Sequence, residues 1–339
     1  MNPSSMSEEA RSANVEVLLV QPLAHRPGHF NSYTQHLANG LIHAGWRPTV
    51  LTLCGFWDNP KADVEVIHCL PAVFARILSA IRALKGGGRL EALFASLMCS
   101  IKLVRLALTK PREVIHVLDG NMMLFLVICQ VLLKTRCARR LVLGLHSKYQ
   151  PTMFSRLVRI LRSSLQSTVT FVCQSREILQ TYHNTPFDGL FACIPWGVGP
   201  FEFVADSPPS DRTTIRQPYG LNPEDFVFLV FGTNHTQKDF SVIFRAVGHL
   251  HEQHNLGGAE HTLRILFAGR FDVRGGDSPE ALCSQYQCCQ SVKVINRYIP
   301  HEEILQLFRA VDAVIISYKK DFLQPSGVLS YAVTFHVPV

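Results

Sequence analysis

The sequence predicts an α/β protein of two doubly wound, Rossmann-like domains. Three observations carry this. Short apolar, β-branched runs alternate with amphipathic helical runs along almost all of the 339 residues, the pattern of parallel sheets assembled from βαβ units. The alternation breaks once, over 204–223, where Pro208, Pro209, Pro218 and Pro223 stand among Ser, Thr and Asp, and then restarts; such composition marks a linker. With 47% apolar and 17% charged residues, the chain is long for a single core and too apolar to stay disordered. The expected organisation is a flexible tail over 1–13, a first domain over 14–200, a linker over 201–223 and a second domain over 224–339.

The first domain opens with a strand over 15–20 and a loop over 21–31 that carries Pro22, Pro27 and Gly28. Tyr33, Leu37 and Leu41 then recur at helical spacing, and Gly45 stands where a helix C-cap favours a left-handed residue. Further strands are expected over 48–53, 64–68, 114–117, 141–145 and 169–173. Between them, 73–108 mixes Phe74, Ile77, Leu78, Ile81 and Leu84 with Arg76, Arg82, Lys85 and Arg89, then Lys102 and Arg105. Basic amphipathic helices of this kind either face a core or lie on a membrane surface. The run 122–133 is apolar except at Gln130; it falls short of a bilayer span, so a buried helix is expected.

In the second domain the sequence predicts strands over 226–231, 263–268, 292–295 and 313–317, with helices over 241–254 and 301–310. Glu302 and Glu303 sit in the first turn of the later helix, where the macrodipole favours them. Its Ile304, Leu307, Phe308 and Val311 make one apolar face. The last residues, His336-Val337-Pro338-Val339, read as the beginning of another buried strand, so the second domain is expected to be incomplete at its C-terminus.

Charge is uneven. Residues 1–200 hold 21 Lys and Arg against 11 Asp and Glu, and residues 201–339 hold 12 against 15. A basic first half suits an anionic partner, such as an anionic lipid surface, or is simply a solvated basic face. Without an arginine-rich, aromatic-interleaved run or a nucleic-acid module, no nucleic-acid partner is expected. The ten cysteines form no CxxC pair and several lie within apolar runs. This predicts a reducing compartment, with neither a disulfide framework nor a zinc site. The first thirteen residues lack the apolar core of a signal peptide, so a cytoplasmic protein is expected, peripheral at the inner membrane face if the basic helices meet lipid.

One segment points to chemistry. Phe231-Gly232-Thr233-Asn234-His235-Thr236-Gln237-Lys238 lies between an expected strand and an expected helix. A strand, a glycine-started loop, a lysine and a helix N-terminus make a place for a phosphate. The helix end offers unsatisfied N–H groups with a partial positive charge, and the lysine adds a full one. A lone loop lysine is ordinarily just solvated, so the order of the surrounding motifs gives this reading its weight.

Those motifs resemble one family. Gly28-His29-Phe30-Asn31-Ser32-Tyr33 with Gly45-Trp46, then Ile194-Pro195-Trp196-Gly197-Val198, Gly232 to Lys238, Tyr298-Ile299-Pro300-His301-Glu302-Glu303 with Asp312, and Ser326-Gly327-Val328-Leu329 with Val337-Pro338-Val339 are similar to family 4 of the retaining glycosyltransferases. Tyr318 with Ser326-Gly327 resembles its Ser-Gly variant. The resemblance implies the GT-B fold, two Rossmann-like domains facing across a cleft. It also implies retaining transfer of a sugar from a nucleotide-diphosphate-sugar donor to a saccharide, glycolipid or other acceptor, with no cofactor and no metal.

By that resemblance Lys238 and the backbone at Gly232, Ser326 and Gly327 hold the donor diphosphate. Gly28 lets the backbone approach a substrate, and His146, after the strand over 141–145, is the catalytic-site residue of the first domain. The sequence departs from the family at three places. The Gly232–Lys238 loop lacks the usual Arg, which Arg270, after the strand over 263–268, replaces unless it is merely solvated. Leu323 and Tyr331 occupy the positions of the usual Glu pair, and Ser326 is equally a plain helix cap. A second reading therefore stays open at this point: a non-catalytic nucleotide-sugar-binding or scaffold protein with a degenerate site. A nicotinamide-dependent oxidoreductase is disfavoured because no GxGxxG follows a strand.

Overall fold

The structure, a computed structural model, describes residues 15–23, 29–54, 64–71, 73–83, 87–145, 149, 151–166, 168–194, 211–233, 237–254, 263–271, 278–320, 322 and 326–339. The chain divides into two compact units, Met1–Pro195 and Trp196–Val339.

In the first unit, strands β1 (Glu16–Gln21), β2 (Arg47–Thr52), β3 (Glu65–His68), β4 (Arg112–Val117), β5 (Ala138–Gly144), β6 (Val169–Cys173) and β7 (Phe191–Cys193) form one parallel sheet in the order β3-β2-β1-β4-β5-β6-β7. Val17, Leu18, Leu19 and Val20 of β1 are all buried, as a central parallel strand covered on both faces requires. Its register against β2 and β4 places Leu19 opposite Val50 and His116. The three-residue β7 has no sequence signal, because so short a run shows no periodicity; it exists by pairing Phe191 with Phe171.

Helices α1 (His29–His43), α2 (Phe74–Ala83), α3 (Gly87–Thr109), α4 (Met122–Lys134), α5 (Met153–Leu165) and α6 (Arg176–Gln180) connect the strands. Gly45 caps α1 at φ +81°, with the Trp46 N–H donating to Leu41 O at 2.9 Å, as the sequence predicts. The buried helix expected over 122–133 is present but is covered on one side only. α4 buries Phe125, Leu126, Cys129 and Leu132 but exposes Met123, Val127 and Val131, because only one of its faces packs.

In the second unit, β8 (Phe226–Phe231), β9 (Leu263–Gly269), β10 (Val292–Asn296) and β11 (Ala313–Val314) form a parallel sheet in the order β10-β9-β8-β11. With it go α7 (Arg212–Arg216), α8 (Phe240–His254), α9 (Pro279–Gln285), α10 (His301–Arg309) and α11 (Gly327–Thr334). Of the expected linker, 201–210 lies outside the described residues, but α7 is folded and Arg216 is buried. Its guanidinium donates to Ala310 O, Asn222 O, Pro223 O, Asp225 O and the Asp312 carboxylate at 2.6–3.0 Å. A guanidinium with all three nitrogens engaged is one of the few charged groups that a core accepts.

β11 is shorter than expected. After Ile315 the chain leaves β8 and pairs with 237–239 instead, through Asp239 N–H to Ser317 O at 2.9 Å and Lys319 N–H to Gln237 O at 2.8 Å. The final apolar residues form no strand; Pro338 O accepts the Val314 N–H at 2.7 Å. Where the sequence predicts no disulfide framework, a single local bond joins Cys283 and Cys289, their Cα atoms 4.9 Å apart. α9 ends just before Gln287, whose positive φ turns the chain back so that the Cys288 N–H reaches Cys283 O. The sequence shows no CxxC spacing because that turn needs more residues.

Candidate functional site

Strand order in the second unit reverses between β8 and β11, and ligands of open α/β sheets bind at the carboxyl ends of strands at such a point. β8 ends there at Phe231, and Gly232 follows at φ +96°. Its N–H donates to Ala268 O at 2.9 Å. On the neighbouring strand Gly269, at φ +151°, backs onto it so closely that a Cβ at 269 would overlap the Gly232 carbonyl. Both glycines are therefore demanded by geometry. Sequence reasoning found Gly232 and passed over Gly269, whose neighbour is not local in the chain.

The pairing of 237–239 with the segment after β11 brings Lys238 beside Tyr318. The Lys238 side chain turns inward, and its ammonium donates to Phe231 O at 2.8 Å and lies 5.8 Å from the centre of the Phe240 ring. Burial pushes its pKa down to about 8, since a desolvated ammonium without a counter-charge loses its proton more readily. A water-sized cavity of about 10 Å³ touches it, walled also by Tyr318, Ser317 and Val328. The Ser317 hydroxyl is buried, with no hydrogen-bond partner among the described residues.

Tyr318 OH lies 3.0 Å from Ser326 Oγ, and Phe322 stacks on its ring at 3.8 Å. Ser326 caps α11 by accepting the Leu329 N–H at 3.2 Å. The structure thus gives Ser326 its capping role directly. Among the described residues, nothing lies within 4 Å of where a Cβ at Gly327 would stand. Arg270 is exposed immediately after Gly269 at the same edge of the sheet. The end of β8, the segment 237–239 and the start of α11 thereby bring Gly232, Lys238, Ser326 and Gly327 to one region, with Arg270 after the adjoining strand. Together they offer a cation, hydroxyls and helix N–H groups, the equipment for a phosphate-rich anion.

The contrast between the two glycines is testable. Gly232→Ala should lower stability by about 1–2 kcal/mol, because a Cβ at positive φ is strained. Gly327→Ala should leave the unfolding temperature unchanged and weaken anion binding, if the open space there is for a ligand. Paired melting curves with and without a nucleoside diphosphate read both effects.

Gly28, His146 and Leu323 lie outside the described residues. Tyr331 packs in an aromatic cluster with Phe231, Phe308 and Phe335 at ring distances of 5.8–6.1 Å, and burial raises its phenol pKa; it is a core residue. In the first unit, an open concavity of about 660 Å³ adjoins the start of α5, lined by Tyr149, Thr152, Arg156 and Arg159 among others. Among the described residues no cluster of three or more His, Cys, Asp or Glu is arranged to hold a metal ion.

No known family model and no curated protein matches this sequence. Solved structures do. Over 96% of this chain and 79% of the other, the fold is similar to Anabaena HepE in complex with UDP and glucose, at a TM-score of 0.63 and 16% identity. It is similar to WaaG, a glycosyltransferase of lipopolysaccharide biosynthesis, at TM-score 0.59 and 15% identity, covering 96% of this chain and 80% of that one. With the Escherichia coli trehalose-6-phosphate enzyme bound to UDP-2-fluoro glucose the values are 0.57 and 13%, covering 94% and 81%. At these identities the likeness is one of fold, and the fold is GT-B.

Proposed function

We propose that this chain is a glycosyltransferase that moves a sugar, with retention, from a nucleotide-diphosphate-sugar donor to a saccharide, glycolipid or other acceptor. The observation that carries the reading is the switch-point site of the second unit. There a desolvated lysine, two close-packed glycines and the open N-terminus of α11 converge where a GT-B fold can receive a diphosphate. Transfer needs the leaving diphosphate neutralised as the glycosidic bond breaks, and preorganised charge does this at low reorganisation cost. Lys238 supplies the cation, the N–H groups of Gly327 and Val328 the dipolar donors, and Arg270 a second cation at the rim. His146 of the first unit is assigned to the sugar side by family resemblance. The basic concavity at Arg156 and Arg159 is assigned to the acceptor. No metal or cofactor enters the proposal.

HepE and the trehalose-6-phosphate enzyme were solved with UDP and a UDP sugar respectively, so uridine is the first base to try. The test is slow hydrolysis of UDP-glucose by the purified chain without acceptor, followed by release of UDP. An enzyme releases UDP at a rate that Lys238→Ala lowers by about 10²-fold or more; a chain that is stabilised by UDP-glucose yet never cleaves it is a binder, and the transferase reading fails.

The same proposal places the protein in the cytoplasm, peripheral at the inner membrane face. On α3, exposed Leu90, Phe94, Leu97 and Ile101 form a stripe at helical spacing, and Phe74 and Ile77 of α2 and Val127 and Val131 of α4 are exposed as well. Exposed Arg76, Arg89 and Arg105 accompany it. α3 is 23 residues long and apolar enough to cross a bilayer by length and composition, but Cys99, Leu103 and Ala107 on its other side are buried, which favours lying on lipid over crossing it. In a sedimentation assay the chain should bind phosphatidylglycerol vesicles and not phosphatidylcholine ones. Phe94→Glu with Ile101→Glu should weaken that binding about tenfold or more.

A further inference from the structure

Three cysteines meet at one corner of the first unit. Cys54 follows β2 and Cys69 follows β3, and the Cys69 and Leu70 N–H groups bond Thr52 O and Leu53 O at 2.9 and 2.7 Å, fixing the two strand ends together. Cys99 projects from the buried face of α3. Its sulfur lies 3.6 Å from that of Cys69 in a thiol–thiol hydrogen bond. Cys54 and Cys99 are buried, whereas Cys69 is half-exposed.

We propose that Cys69 and Cys99 form a peroxide-sensitive thiol pair, in which Cys69 is oxidised first and Cys99 resolves it to a disulfide joining the end of β3 to the middle of α3. The environment divides the roles. The side-chain hydrogen bond with Cys99 and, more weakly, the positive charge of Lys102 hold the Cys69 thiol below its ordinary value against the opposing effect of burial. The same contact and burial hold Cys99 well above it. Burial also lifts Cys54 to about 11, helped by the neighbouring Cys69 and Glu91. The readily ionised, accessible thiol reacts with oxidant, and the protonated, enclosed one waits beside it.

The chemistry balances. The Cys69 thiolate attacks one oxygen of hydrogen peroxide, an S–O bond forms as the O–O bond breaks, and hydroxide leaves to take up the proton Cys69 has given. Cys99 then attacks the sulfenic sulfur, an S–S bond forms as the S–O bond breaks, and the departing hydroxide takes the Cys99 proton. Two thiols and one peroxide become a disulfide and two waters. The sulfurs need to close by about 1.6 Å to reach bonding distance.

The test uses the full chain, reduced and then exposed to one equivalent of hydrogen peroxide, with free thiols alkylated and peptides mapped by mass spectrometry without reduction. The expected product is a peptide pair joined through Cys69 and Cys99, with Cys54 alkylated. In Cys99→Ser the sulfenic acid at Cys69 should persist and be trapped by dimedone, and Cys69→Ser should leave Cys99 unoxidised. A Cys54–Cys69 linkage, or oxidation at other cysteines while Cys69 and Cys99 remain alkylated, overturns the proposal. The wild-type map decides this even if the Cys99 variant fails to fold.

Discussion

If the proposed donor site binds UDP, Lys238→Met is expected to abolish the resulting thermal stabilisation, while the ligand-free protein melts at the same temperature or higher. The ammonium of Lys238 is turned into the protein with one carbonyl for company, and no ion pair to it occurs among the described residues. Its depression to about 8 means that the fold carries a cation it would rather not hold, a cost of up to about 3 kcal/mol by linkage. Methionine is slightly shorter, carries no charge and suits an apolar wall, so the resting protein gains what the lost hydrogen bond does not cancel. A diphosphate supplies the missing counter-charge. In the wild type, ligand at a hundredfold over its dissociation constant adds about 2.7 kcal/mol, and loss of the cation removes an interaction of roughly that size. A Met variant that UDP stabilises as well as the wild type would remove Lys238 from the site.

The pH dependence separates the two roles of this lysine. Without ligand, the folded chain gives up the Lys238 proton near pH 8 and the unfolded chain near its ordinary value of 10.5. Between those values the unfolded state binds more protons, so this group makes stability rise with pH; below 8 its penalty is present in full. Binding runs the other way. Diphosphate favours the ammonium, so affinity is greatest below pH 8 and falls above it by up to about tenfold per pH unit. Both slopes should vanish together in Lys238→Met, and titration calorimetry at pH 7 and 9 reads the second directly.

The local half of this site was legible and the assembled half was not. Gly232 and Lys238 announce themselves because strand, glycine, lysine and helix follow one another within a short stretch. The need for glycine at 269 arises from a carbonyl on another strand, and the Tyr318–Ser326 contact depends on 237–239 pairing with the chain after β11. Spacing reports neither. At Tyr331 family alignment suggested a lost acid, yet the ring belongs to a core built with Phe231 and Phe308. Most strands were readable, since a buried parallel strand is a continuous apolar run; β7 was not, and α7 was hidden by linker composition because its anchor is a single buried arginine. Gly28 and His146 remain readings of sequence.

That arginine sets the largest expected loss of stability. Arg216→Ala should destabilise the second unit by about 3–5 kcal/mol. The substitution strips Ala310 O, Asn222 O and Pro223 O of the guanidinium donors seen here and removes one of the two cations from Asp312. Arg212 remains, donating to Asp312 at 2.7 Å and to Asp225 O at 3.2 Å, but it is half-exposed and water weakens its pull. Arg212→Ala should accordingly cost no more than about 1 kcal/mol. Because the chain has two units, a single melting point would blur the effect; native-state hydrogen exchange resolves it, with protection falling across β8–β11 and holding across β1–β7. A uniform fall over both units would contradict this assignment. Asp312 accepts the Val227 N–H at 2.7 Å, near the amino end of β8, whereas Lys238 lies against Phe231 at its carboxyl end. The fraction of Arg216→Ala that remains folded should therefore bind UDP with unchanged affinity. The opposite result is expected of Lys238→Met, which keeps the fold and loses the ligand, so the two ends of one strand divide stability from binding.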